Sequence, residues 1–139
     1  MAETLTLRLT IADPVPGIHY SLQDAKNVPV DACVATEAPL SFDVPVTLRP
    51  DGKLGGTFVR REGPTRRFVY IAIAAQAGQT DPFGHVISRR AKIDVHDIPA
   101  DLLTPGAVIE AVLPGRGKDG TPACATVRPL SLWKIISAP

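Results

Sequence analysis

Residues 4–11, Thr4-Leu5-Thr6-Leu7-Arg8-Leu9-Thr10-Ile11, alternate polar and apolar side chains without a break. Successive side chains of a strand point to opposite faces, so Leu5, Leu7, Leu9 and Ile11 line one face and Thr4, Thr6, Arg8 and Thr10 the other. The same period of two recurs at 41–48, where Phe42, Val44, Val46 and Leu48 alternate with Ser41, Asp43, Pro45 and Thr47. Pro45 lacks a ladder donor, which predicts an edge position for that strand. Arg67 to Ala75 (RFVYIAIAA) is apolar on both faces beyond Arg67 and reads as a central strand covered on both sides.

The remaining segments fit the same plan. Strands are predicted at 18–23, 30–35, 57–60, 86–95, 107–113, 123–127 and 130–136. Asp13-Pro14-Val15-Pro16-Gly17 and Arg49-Pro50-Asp51-Gly52 are turn signals. One short helix is predicted near 98–104, with Pro99 at its start and Gly106 past its end. No strand–helix alternation and no internal repeat occurs. The pattern predicts an all-β domain spanning residues 1–139, a two-sheet sandwich or Greek-key barrel of eight to ten short, mainly antiparallel strands.

Composition supports a single folded unit. The chain has 139 residues, 45% apolar and 21% charged. That length buries roughly 68% of the unfolded surface, so the core needs no disulfide or metal staple. Pro and Gly, 14 and 11 residues, exclude a coiled coil. The net charge of +1 is unevenly spread: −4 over residues 1–48, +6 over 49–92 and −1 over 93–139. The basic middle third reads either as strands with Arg on their outer faces or as an anion-binding face. The doublets Arg60-Arg61, Arg66-Arg67 and Arg89-Arg90 suggest nucleic acid. Against it stand an aromatic content of 5%, too low for a stacking platform, and the opposite faces of neighbouring strand residues. The stretch from Arg61 to Arg66 reads as a solvated loop.

Several residues carry chemistry. On 86–95 the apolar face holds Ile87, Arg89, Ala91, Ile93 and Val95, so Arg89 is a charge on an apolar face. An unpaired buried guanidinium is costly, so Arg89 needs a carboxylate or an anionic ligand, unless a bulge shifts the register. Glu110 shares a face with Val108 and Val112, and Glu110 or Asp81 is the expected partner of Arg89. His19, His85 and His96 have no metal-ligand spacing, and no metal or cofactor is expected. His85 in a loop and Cys124 are the candidates for a base and a nucleophile. Small apolar neighbours make Cys124 read as a buried thiol. Cys33 and Cys124 stand outside any CxxC pair, and a single bond between them stays open. No secretory signal or apolar stretch long enough for a membrane helix is seen, which makes a soluble cytoplasmic protein the expectation.

Arg67-Phe68-Val69-Tyr70-Ile71, Ala77-Gly78-Gln79, Asp81, Ser88 to Ile93 and Asp119 to Val127 resemble a small bacterial family known as a domain of unknown function, number 5990. Leu5 to Leu9 and Pro16-Gly17-Ile18 are similar too. The resemblance covers almost the whole chain and implies no activity. Around Pro82 to Ile87 this chain is longer and more apolar than the family pattern. The resemblance implies that 79–92 and 119–126 act together.

The expected role is a non-catalytic binding or interaction module. Its site is Gln79, Asp81, Arg89, Arg90 and Lys92, with the loop 114–122 as a lid, for an anionic small molecule or protein. The alternatives are a small enzyme using His85 or Cys124, and an oligomerisation domain, a homodimer paired through the apolar strand 130–136.

Overall fold

The computed structural model describes residues 3–24, 29–64, 66–74, 89–96, 98–115, 126–127 and 133–138. In chain order the strands are β1 (Glu3–Ile11), β2 (His19–Gln23), β3 (Pro29–Val34), β4 (Leu40–Leu48), β5 (Leu54–Gly55) and β6 (Arg60–Glu62). They continue with β7 (Arg66–Ala74), β8 (Arg89–Asp94), β9 (Val108–Leu113), β10 (Thr126–Val127) and β11 (Lys134–Ser137). The first sheet has the order β11-β9-β1-β4-β5, and the second the order β10-β8-β7-β2-β3 with β6 also on β7. Pairing is antiparallel except for β1 with β9 and β10 with β8. The protein is an all-β, two-sheet sandwich.

The alternation at the start of the chain produces the first sheet's two faces. In the β1–β4 register Leu5 meets Val46, Leu7 meets Val44 and Leu9 meets Phe42 on the inner face. Thr6 with Pro45, Arg8 with Asp43 and Thr10 with Ser41 form the outer one. The inner row joins Tyr20, Leu22, Val69, Ile71 and Ile93 of the second sheet in one buried cluster. Burial of these side chains is the main stabilising term, about 1.5–3 kcal/mol for each large one.

The central strand predicted at 67–75 is β7, paired on both sides and buried at four successive positions from Phe68 to Ile71. Val69 and Ile71 belong to the inner cluster, whereas Phe68 and Tyr70 lie outside it, on the outer face. Pro45 is on the second strand from the edge. β5 pairs with Thr47 and Leu48, so among the described residues no strand is paired to Pro45 on that side and no ladder bond calls for its missing donor.

Two further readings change. The predicted short helix is a single 3-10 turn, Ala100–Leu102, with Pro99 before it and Gly106 at φ +81° beyond. It buries none of its residues, so no packed face sustains a longer helix. Of the predicted return strand at 57–60 only Arg60 is in a strand, at the start of β6; Thr57 to Val59 form the turn between β5 and β6, closed by the Val59 N–H donating to Gly56 O at 3.2 Å. The turn at Arg49–Gly52 closes as expected, with the Gly52 N–H donating to Arg49 O at 2.9 Å and Gly52 at φ +79°.

Candidate functional site

The outer face of the second sheet carries a compact polar cluster on an aromatic base. Tyr70 of β7 stands opposite Lys92 of β8, and Phe68 opposite Asp94. β6 runs along the other side of β7 and brings Arg60 opposite Phe68 and Glu62 opposite Arg66. The Lys92 ammonium donates to Glu62 Oε2 at 2.6 Å, and the Tyr70 hydroxyl donates to Glu62 Oε1 at 2.6 Å. One carboxylate therefore clamps two strands. The Lys92 Nζ also sits 4.3 Å from the Phe68 ring centre, and the Arg60 guanidinium 4.5 Å from that of Tyr70. Each cation faces the negative side of a π-system. Arg60 Nη2 further donates to the Asp24 carbonyl at 2.7 Å, which fixes it at the end of β2.

These contacts set the ionisation. Hydrogen bonding to Lys92, and then to Tyr70, holds the Glu62 carboxyl below the usual carboxylate range. The Glu62 hydrogen bond raises the Lys92 ammonium above its ordinary value. Burial, then the bond to Glu62, pushes the Tyr70 phenol up. All three shifts lead away from neutrality. Among the described residues, the cluster near pH 7 holds two fixed cations, one fixed anion and a neutral phenol. It flanks a surface depression of about 350 Å³ lined by Val59, Arg60, Arg61, Glu62 and Tyr70. Gln23, opposite Tyr70 in register, is buried, and its Oε1 has no hydrogen-bond partner among the described residues.

At the end of β8 the buried Asp94 carboxylate accepts from both the backbone N–H and the ring Nδ1 of His96. The pair is local in sequence and fixes the turn after the strand.

The first sheet's outer face has the opposite character. Arg8 makes a two-bond pair with Asp43, at 2.7 and 3.2 Å, and Thr10 links Ser41 at 2.8 Å to Glu110 at 3.0 Å. Arg8, Thr10, Asp31, Cys33, Asp43 and Glu110 border a cleft of about 590 Å³. Three carboxylates to one guanidinium make it acidic. Glu110 therefore sits on the outer face of the first sheet, and its face partner Val112 is exposed. The inner row of β9 is Ile109, Ala111 and Leu113. Both rows of that strand are mainly apolar, so alternation alone could not choose between them. Glu110 accepts from Thr10 and stands opposite Arg8 in register, whereas the side chain of its expected partner Arg89, and the alternative carboxylate Asp81, lie outside the described structure.

Of the residues singled out in the sequence, Lys92 is in the cluster. Arg90 and Arg89 are placed by register alone, opposite Ala72 and Ile73. By register Arg90 takes the next position in the Lys92 row and Arg89 the row of Ile93. Gln79, Asp81, His85, Cys124 and all but the first two residues of the loop 114–122 lie outside the described residues. Cys33 is a free thiol that burial pushes above its ordinary pKa. The doublets are divided between environments: Arg61 is exposed and Arg60 half-buried, Arg66 exposed and Arg67 buried. Among the described residues no group of three His, Cys, Asp or Glu side chains could hold a metal ion, and no helix is long and apolar enough to cross a membrane.

The fold and this charged outer face define a β-sandwich domain with a cation-bearing sheet surface. Residues 5–136 match the Family of unknown function (DUF5990), and the chain belongs to that family. No curated protein and no solved structure matches it.

Proposed function

We propose that the domain is a non-catalytic binding module that takes a carboxylate- or phosphate-bearing ligand on the outer face of its second sheet. The observation that carries this reading is the placing of two cations, Arg60 and Lys92, over two aromatic rings of one strand. Holding a guanidinium and an ammonium in fixed positions removes part of the ordering cost that a ligand would otherwise meet. Arg90 is the next residue of the Lys92 row by register, and the sequence offers its guanidinium, a group able to make paired bonds to a carboxylate or phosphate, as a third cation. Gln79, Asp81 and Arg89 belong to the proposed site through the sequence alone. The ionisation of Glu62, Tyr70 and Lys92 favours binding over acid–base chemistry, because a general acid or base works best with a pKa near the working pH. We place the module in the bacterial cytoplasm, the default for two cysteines outside any CxxC pair.

The test is a thermal-shift series with inorganic phosphate, citrate and a short oligonucleotide at low and high salt. A binding site predicts a shift that persists in salt for phosphate or citrate, and a smaller shift in Arg90→Ala. Equal shifts in wild type and Arg90→Ala would overturn the site. Shifts abolished by salt for every anion would reduce it to a basic surface.

A further inference from the structure

We propose that Arg61 is the ligand-contacting guanidinium of the anion site, and that Glu62 beside it selects an anion carrying a hydroxyl next to its charge. The inference rests on the anion-binding reading above and narrows it to a ligand class. The depression of about 350 Å³ at the cluster is lined by Val59, Arg60, Arg61, Glu62 and Tyr70. Arg61 and Glu62 are neighbours along β6 and border this one space. It therefore offers a small molecule a cation and an anion side by side.

The cations of this region differ in how far they are already engaged. The Lys92 ammonium donates to Glu62 Oε2 at 2.6 Å and sits over the Phe68 ring. Arg60 lies over the Tyr70 ring, and its Nη2 donates to the Asp24 carbonyl at 2.7 Å. Arg61 is exposed, and its Nε donates to Gly63 O at 3.3 Å. That single bond leaves both terminal nitrogens of Arg61 without a partner among the described residues. A guanidinium in that state makes paired bonds to a carboxylate or phosphate. The bond to Gly63 holds the side chain in place while leaving those donors open.

Glu62 decides what else the ligand carries. Its two oxygens each accept one bond, from Tyr70 and from Lys92. A carboxylate has about four acceptor positions, so roughly two remain. The side chain is 40% exposed, which keeps them reachable. An anion seated against Arg61 displaces water from those positions. A plain anion leaves them unfilled and loses affinity, whereas a hydroxyl replaces the displaced water. An ammonium would also meet Glu62, but the surroundings oppose it. Arg66 stands opposite Glu62 in register, Lys92 is bonded to it, and Arg60 and Arg61 line the same depression. Four cations to one carboxylate repel a further positive charge and favour the neutral donor. A hydroxylated carboxylate or phosphate therefore fits this depression better than a plain anion or an amino acid.

Isothermal titration of the full chain at physiological salt with malate, succinate and aspartate tests this, since the three differ only in a hydroxyl, a hydrogen or an ammonium on one carbon. Glycerol 3-phosphate against propyl phosphate makes the same comparison for a phosphate, and the pair that binds identifies the acid group. The hydroxylated member should bind at least about fivefold tighter than the plain one, and malate at least about fivefold tighter than aspartate if the acid is a carboxylate. Arg61→Ala should weaken the hydroxylated member at least about tenfold, and Arg61→Lys should restore only part of that loss. Glu62→Gln should tighten the plain member and bring the two within about twofold. Melting temperatures check each fold, and the exposed Arg61 carries the test should Glu62→Gln not fold. Equal affinity within the pair that binds, or aspartate as tight as malate, would overturn the hydroxyl assignment. Full affinity in Arg61→Ala would overturn the Arg61 assignment, and weakening by Arg60→Ala alone would leave the anion-binding reading standing. No saturable binding of any of these compounds by wild type would overturn both.

Discussion

Replacing Tyr70 with Phe removes one hydroxyl and keeps the ring beneath Arg60. In the wild type that hydroxyl donates to Glu62 Oε1 at 2.6 Å, and the same carboxylate accepts from Lys92 at 2.6 Å. A hydrogen bond to a charged acceptor contributes about 1.5–3 kcal/mol when sheltered. The Glu62 side chain is 40% exposed, so solvent screening brings the expected loss to about 1 kcal/mol. For a chain of this length that is a fall of about 3 °C in Tm. The assay is urea unfolding of wild type, Tyr70→Phe, Glu62→Gln and the double variant. A coupling of about 1 kcal/mol with unchanged m-values is expected, since only the paired term fails to add. The pH dependence has a fixed sign. Glu62 has a folded pKa below its unfolded value, so its contribution is complete above about pH 4.3 and fades as pH falls through the folded value. The Tyr70→Phe deficit should stay constant from pH 7 to about 5 and shrink below it. A coupling indistinguishable from zero at pH 7, or a deficit indifferent to acid, would refute the clamp.

Gly115→Ala should destabilise by about 1–3 kcal/mol, because a Cβ there would collide with the Asp13 carbonyl while Asp13 Oδ1 already accepts the Gly115 N–H at 2.8 Å; a thermal melt equal to wild type would contradict this approach. Leu7→Ala empties a fully buried position in the inner row and should cost about 2–5 kcal/mol, whereas Thr6→Ala on the outer face should cost less than about 0.5 kcal/mol by the same melts. The Cys33 thiol, held up by burial and by Asp31, should alkylate more slowly at pH 8 in the folded protein than in urea, as read by mass spectrometry of its peptide; equal rates would show it unprotected.

The sandwich was legible because period-two alternation and a doubly apolar central strand are strong signals. The β1–β4 pairing follows from matching two alternating rows, and β7 announces itself by having no polar face. β9 was harder: Val108 and Val112 resemble Ile109 and Ala111, so only the packed sheets show that Glu110 faces outward. The site was legible in part. Lys92 stood out as a charge on a strand, but Glu62 looked like one more residue of a solvated loop. Its role depends on β6 returning beside β7, which no local pattern encodes. Tyr70 offered a signal that went unused: a tyrosine in a strand buried on both faces needs a partner for its hydroxyl. Arg60 was masked by its doublet with Arg61, which suggested a patch and then a reason to dismiss it.

The central claim is that fixed cations on the second sheet's outer face hold an anionic ligand. Isothermal titration of wild type, Arg90→Ala and Arg60→Ala with phosphate and citrate at physiological salt tests it most directly. Saturable binding in wild type, weakened by both substitutions in proteins that melt within a few degrees of wild type, is the predicted result. No saturable binding of either anion by wild type, or binding that both variants keep at full affinity, would contradict the account.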